Sequence, residues 1–298
     1  MIDASAAIEA AARQVTVVEV GPRDGLQNEA AQVPTAGKVA FIDALTAAGL
    51  PVIEATSFVN PKAVPQMADA ADVMVAIDRR PGVLYPVLIP NERGFDRALA
   101  AGVDAIALFT AATEEFAQAN VGSSINGTFE RFAPVVAAAS ELGLWIRGYV
   151  SVALGCPYAG TVRPEQVVSV AERLLDLGCD EICLADTIGS GTPQSVRDLL
   201  QAALKSLPTG NLALHFHDTS GLAIANVAEG LALDIRIFDA AAGGLGGCPF
   251  APGAPGNLST EGLVAFLERE GLATGVDLDG VSRALEAVQP FVSPPSLM

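Results

Sequence analysis

Residues 177–187 read "LGCDEICLADT": a helical pattern stops at Gly178, and an apolar run follows that ends in Asp186 and Thr187. The segment before it, "EQVVSVAERLLDLG" (165–178), carries apolar residues at three-to-four spacing, the period of one helix face. Glycine just past a helix end relieves left-handed backbone strain, and a continuous apolar run suits a strand buried on both faces. The same punctuation recurs in "AAGLPVIEATSF" (47–58), "AAGVDAIALFT" (100–110) and "ELGLWIRGYVSVA" (141–153).

Extending that unit along the chain predicts eight strands. They lie near "TVVEVG", "VIEATSF", "LYPVLIP", "AIALFT", "WIRGYVSVA", "EICLADT", "LALHFHD" and "IRIFDAA". Amphipathic segments such as "KVAFIDALTAAG" (38–49) and "PQSVRDLLQAALKSL" (193–207) separate most of them. Strict alternation of eight β and α units predicts the α/β class and a (β/α)8 TIM barrel rather than a doubly wound open sheet. The expected organisation is one domain over 1–298, with the barrel at about 14–270 and a C-terminal helical extension at about 271–298. The helices after Ser259 are expected to close the barrel or cover it.

Composition sets bounds on function. The chain has 298 residues, 51% hydrophobic and 17% charged, so it can bury a large core, and a disordered reading fails. A net charge of −17 repels nucleic acid and anionic membrane surfaces. No apolar run approaches a membrane-spanning length, and "MIDASAAIEAAARQ" is acidic where a transit peptide avoids acidity, so a cytoplasmic location is expected. Four cysteines fit reduced thiols, and Cys179 and Cys183 lack the CxxC spacing of a zinc site.

In such a barrel chemistry gathers at the carboxyl ends of the strands. Arg23 and Asp24 follow strand one, strand two carries Glu54, and Ser151, Asp186 and Thr187 end strands five and six. Strand seven brings His215, His217 and Asp218, and these are the only two histidines of the chain. Side chains alternate along a strand, so His215 and His217 point the same way and form half a metal site, with Asp24 the nearest anionic candidate. The Gly/Pro-dense stretch 240–257 with Cys248 at its middle fails the dinucleotide pattern and reads as a long loop able to deliver a thiol.

The blocks "VEVGPRDGLQNE" (18–29), "VIEATSFVNPKAVPQM" (52–67), "RGYVSVALGCPY" (147–158), "DTIGSGTP" (186–193), "HFHDT" (215–219) and "GLGGCPF" (244–250) resemble those of the 3-hydroxy-3-methylglutaryl-coenzyme A lyases, over nearly the whole chain. The resemblance implies a divalent ion, Mg2+ or Mn2+, held by Asp24, His215, His217 and the side-chain carbonyl of Asn257. It implies an acyl-CoA substrate, retro-Claisen cleavage to acetyl-CoA and acetoacetate, and a homodimer. In the roles so implied Arg23 stabilises the enolate, Asp24 or His215 takes the hydroxyl proton, Cys248 protonates the enolate carbon, and Glu54 orients its neighbours.

Ala241 and Phe250 replace a serine and a tyrosine common in that family, which admits a longer-branched 3-hydroxyglutaryl-CoA as the substrate. The rival activity is an acetyl-CoA condensing transferase of the isopropylmalate or homocitrate synthase type, whose members lack the Gly-Cys-Pro loop. A barrel that binds an acyl-CoA without turnover is the non-catalytic rival.

Overall fold

The computed structural model of the chain describes residues 13–246 and 256–292. Its strands are β1 (Thr16–Glu19), β2 (Val52–Ile53), β3 (Thr56–Ser57), β4 (Val87–Leu88), β5 (Ala105–Ala111), β6 (Trp145–Ser151), β7 (Glu181–Asp186), β8 (Leu212–Phe216) and β9 (Ile237–Ala240). All pair in parallel in the order β2-β1-β9-β8-β7-β6-β5-β4-β3. The order begins and ends with two halves of one strand. β2 pairs with β1, β3 pairs with β4, and only Glu54 and Ala55 lie between them. Across that break Glu54 N–H donates to the Glu19 carbonyl at 2.9 Å, and Ala55 N–H donates to the Pro86 carbonyl at 3.0 Å. The sheet therefore closes on itself as an eight-stranded TIM barrel, as the alternating pattern predicts.

Helices α1 (Thr35–Ala47), α2 (Ala70–Ala76), α3 (Glu92–Ala100), α4 (Glu114–Val121), α5 (Ile125–Glu141), α6 (Pro164–Leu177), α7 (Pro193–Ala203), α8 (Ala223–Ala232), α9 (Thr260–Arg269) and α10 (Leu278–Glu286) form the outer layer. Their starts carry caps that satisfy otherwise orphaned N–H groups. Asn91, Thr113, Ser124, Thr192 and Ser259 each accept a backbone N–H from the first turn through the side chain. Gly178, closing α6, has φ of 118°, and a Cβ there would press on Val136 at 3.2 Å, so the glycine that ends the repeated phrase is required twice over. The expected closing role of the last helices is met on the outside: α10 packs along α1 and joins the helical ring beside α9 instead of crossing the barrel mouth.

Two apolar regions result. The larger lies between strands and helices and runs from Val15 to Val288. The smaller fills the barrel interior with Leu88, Ala107, Tyr149, Cys183 and Ala213. Side-chain alternation puts Arg147, Glu181 and Asp239 on that same inner face, one pleat from Tyr149, Cys183 and Ala241.

Glu19 fastens the end of β1 to distant segments. Its Oε1 accepts from Gly21 N–H at 2.8 Å and Ala242 N–H at 2.9 Å, and its Oε2 accepts from the Thr260 hydroxyl at 2.7 Å. Burial pushes the carboxyl up to about 7 against the lowering effect of those three bonds. A carboxyl raised from its unfolded value near 4.5 contributes fully below that pH and loses its contribution as pH climbs through 7. Glu19→Gln keeps the shape and, with the Thr260 hydroxyl turned to accept, the bonds. The parent should lose stability relative to Glu19→Gln between about pH 5 and pH 8, by on the order of a few kcal/mol, in urea titrations at each pH.

Candidate metal centre and active site

The turn after β1 places two of the charged groups. Gly21–Gly25 forms a single π-type turn in which Gly25 N–H donates back to the Val20 carbonyl at 3.2 Å, and Asp24 N–H to the same oxygen at 2.7 Å. Such wide turns are frequent at functional sites because they re-aim side chains. Arg23 then spans Asp24 Oδ1 at 2.5 Å and Glu54 Oε2 at 2.8 Å.

His215 on β8 and His217 just beyond it share a face, with ring centroids 5.2 Å apart. One ligand atom each from Asp24, His215 and His217 lies within 4.8 Å of the others, a cluster that can hold a metal ion. His215 Nδ1 sits 3.1 Å from Asp239 Oδ2, leaving Nε2 for the cluster. Burial alone would depress His215, but the bond to and charge of Asp239 outweigh it and raise the imidazole. His217 has no such partner among the described residues, and burial lowers it to about 4, with His215 adding to the effect and Asp24 opposing it, so near neutral pH it is unprotonated and able to ligate an ion. Burial would raise Asp24, yet Arg23 first and the two imidazoles next hold it well below the usual carboxylate range.

Asn257 completes the arrangement from the far end of the chain. Its Nδ2 donates to Asp24 Oδ2 and to the Leu245 carbonyl, both at 2.9 Å, which fixes the amide orientation. Oδ1 is left buried without a partner, as is His217 Nδ1. An orphaned buried acceptor is costly unless something fills its lone pairs, and a cation would do so at Oδ1. Gly246, at φ 102°, lets the backbone pass: a Cβ there would lie 2.7 Å from Asn257 Nδ2.

Beneath the cluster lies a polar floor. Arg147, fully buried, donates to Asp239 Oδ1 at 2.6 Å and to the Tyr149 hydroxyl at 2.9 Å, and its Nε is ion-paired with Glu181 Oε1 at 2.7 Å, out of hydrogen-bond alignment. The Tyr149 hydroxyl donates in turn to Glu54 Oε2 at 3.0 Å. One connected path thus runs from Asp24 through Arg23, Glu54, Tyr149, Arg147 and Asp239 to His215. It sets two guanidiniums, Arg23 and Arg147, against four carboxyls, Asp24, Glu54, Glu181 and Asp239. That excess of acidic groups, oxygen and imidazole donors together, suits a hard divalent cation. Above it opens a cavity of about 580 Å³, whose wall includes Arg23, Asp24, Tyr149, Ser151, His215 and His217.

The HMGL-like family model matches residues 14–288. The chain belongs to the HMGL-like family. The rat mitochondrial hydroxymethylglutaryl-CoA lyase is 52% identical over 272 residues, which are 91% of this chain and 84% of the rat protein. The HMG-CoA lyase structure from Brucella melitensis superposes with a TM-score of 0.91 at 50% identity, covering 93% of this chain and 98% of that one. An HMG-CoA lyase from Acinetobacter baumannii in complex with coenzyme A and 3-methylmalate superposes with a TM-score of 0.90 at 37% identity, covering 96% and 94%.

In this HMGL-like barrel the strand-end residues singled out from the sequence part company. Asp24, His215, His217, Asn257, Arg23 and Glu54 come together. Ser151 and Thr187 reach the cavity wall. Asp186 turns away, accepting from Ser190 N–H at 3.1 Å and Gly191 N–H at 2.8 Å, and Asp218 accepts from Ala223 N–H at 2.9 Å. Both shape loops. Cys179 and Cys183 are buried thiols, and burial pushes Cys179 up to about 12. Ala241 is fully buried, bonded through its backbone to Leu258 and Thr260, and is no part of the cavity wall, so its missing hydroxyl does not widen the pocket. Cys248 and Phe250 lie outside the described residues.

Arg147, Tyr149, Glu181 and Asp239 are the functional neighbours that sequence reasoning missed. For Arg147, Glu181 and Asp239 the signal was a charge inside a run otherwise read as buried strand, which demands a buried partner; Tyr149 carried no such signal.

Replacing His217 or Asp24 with alanine removes a ligand atom from the cluster. Each variant should weaken Mn2+ binding at least tenfold in calorimetric titration with the fold retained. Parent-like affinity in both would remove the ligand assignment.

Proposed function

We propose that this chain is a divalent-metal-dependent carbon–carbon lyase that cleaves 3-hydroxy-3-methylglutaryl-CoA to acetyl-CoA and acetoacetate. The observation that carries the reading is the meeting of Asp24, His215 and His217 in the wall of one cavity, with Asn257 bonded to Asp24 and its buried Oδ1 unpartnered. Membership of a family whose matched relatives are named hydroxymethylglutaryl-CoA lyases supports it. A Mg2+ or Mn2+ ion held by those four residues would lower the pKa of the substrate's tertiary hydroxyl and fix its orientation.

The remaining chemistry belongs to side chains. Asp24 is a weak base because Arg23 and Asn257 already bind its oxygens. With Nδ1 bonded to Asp239, His215 has one free nitrogen, Nε2, so it accepts the hydroxyl proton only where that nitrogen is off the ion; otherwise the proton goes to a remaining lone pair of the Asp24 carboxylate. As the carbon–carbon bond breaks, its electrons pass into the thioester carbonyl and the enolate oxygen gathers charge. Arg23 answers that charge: it is always cationic, lines the cavity, and keeps a buried Nε with no partner after binding Asp24 and Glu54. Glu54, holding Arg23 on one side and Tyr149 on the other, orients the guanidinium.

We assign protonation of the enolate carbon to Cys248. It follows Gly246 by two residues, and Gly246 accepts from Asn257 N–H at 3.2 Å beside the cluster. A thiol with an ordinary pKa near 8.5 is mostly protonated at neutral pH and serves as an acid.

Among the described residues no helix is long and apolar enough to cross a membrane. Cys156, Cys179 and Cys183 are free and buried, which supports a reducing, cytoplasmic location. A single barrel domain and a homodimer complete the proposal, the latter measurable by light scattering.

Purified protein with Mn2+ should release acetyl-CoA and acetoacetate from 3-hydroxy-3-methylglutaryl-CoA, and a chelator should abolish the release. Steady formation of free CoA from acetyl-CoA and 2-oxo acids would favour the condensing transferase instead. In Cys248→Ala, kcat should drop by roughly 10²- to 10⁴-fold with Mn2+ affinity kept, as loss of a proton donor requires. Unchanged turnover there would take the thiol out of the reaction.

A further inference from the structure

Among the described residues the cavity wall carries two arginines, Arg23 and Arg131, and one acidic residue, Asp24. Arg23 is committed to Asp24 and Glu54. Arg131 is half-buried, and among the described residues it has no hydrogen bond, ion pair or ring contact. It is therefore the uncommitted guanidinium of the wall, in a chain whose net charge is −17.

Its position is built. Thr128, three residues earlier on α5, is fully buried and shares a 2.8 Å hydrogen bond with Thr110 on β5, which pins that turn of the helix to the barrel. Residues three apart share a helix face, so the stem of Arg131 leaves α5 on the side held against the strands. The neighbouring Phe132 packs on Phe109 with ring centroids 6.4 Å apart, and Phe109 and Phe116 are also in the wall. Arg131 thus shares the cavity wall with Phe109 and Phe116, an apolar surface along which a long stem can lie while its charged head reaches the open part of the cavity.

A guanidinium half removed from water with no carboxylate beside it lacks its usual compensation, and its planar fork matches the two oxygens of a phosphate or carboxylate. We propose that Arg131 is an anion-binding residue of the substrate cavity, taking a phosphate or carboxylate of the acyl-CoA as it lies between the wall and the metal cluster. This rests on the acyl-CoA lyase reading above. The two sources of that anion are the nucleotide phosphates of the coenzyme A half and the terminal carboxylate of the acyl half.

The test compares the parent with Arg131→Ala and Arg131→Lys on 3-hydroxy-3-methylglutaryl-CoA and on its pantetheine thioester, which lacks the nucleotide phosphates. Arg131→Ala should raise KM for the full thioester about tenfold, the usual scale for losing a charged hydrogen bond, with kcat changed by less than about twofold. Arg131→Lys should recover part of the loss, because it restores the charge without the fork. A KM rise confined to the full thioester assigns the phosphates, and a rise on both substrates assigns the carboxylate. Unchanged KM on both, or a loss confined to kcat, overturns the proposal.

Calorimetric binding of desulfo-CoA, and of 3-hydroxy-3-methylglutarate with Mn2+, supplies a readout without turnover. If the parent cleaves nothing yet Arg131→Ala weakens one of these ligands, the lyase reading falls and the anion site stands. Equal affinities of parent and Arg131→Ala for both ligands remove the site.

Discussion

A guanidinium sealed inside a barrel is the constraint on which the rest of this structure depends. Arg147 has no exposed surface and contacts Asp239, Glu181 and Tyr149. An unpaired charge there is prohibitive, so those three groups have to stand where they do. Their placement propagates upward by two routes. Through Asp239 it fixes the ring of His215, and through Tyr149 and Glu54 it fixes Arg23. The metal cluster and the proposed enolate-stabilising arginine are thus set on one foundation, and neither can shift without disturbing the other.

The electrostatics of the two histidines follow from the same foundation. Asp239 reaches His215 and raises it, whereas at His217 burial and the neighbouring imidazole outweigh the charge of Asp24 and lower it. Two adjacent residues of one type thereby acquire opposite proton affinities from one asymmetric contact.

The barrel was legible because its signal repeats. Four units end a helix at glycine and begin an apolar strand, and Gly178 shows why nothing larger fits. The paired imidazoles were legible for an equally local reason, the two-residue period of a strand. Asp186 and Asp218 stand at strand ends as read, and each uses its carboxylate to accept backbone N–H groups of the loop that follows. The floor stayed hidden because its pairs are remote: Arg147 and Asp239 stand 92 residues apart and Tyr149 and Glu54 95, and no local pattern names a partner over such distances. The split of the second strand at Glu54 and Ala55 was hidden too, since "VIEATSF" gives no sign that its halves pair with different neighbours.

The bond from Asn257 to Asp24 joins positions 233 residues apart. During synthesis the aspartate leaves the ribosome long before its amide partner exists. A growing chain carries the early carboxylate, and later the two imidazoles, without the group that completes them. An ion held by the complete set would therefore be taken up late in biogenesis, and a product truncated before the last barrel helix would expose a half-built cluster lacking Asn257.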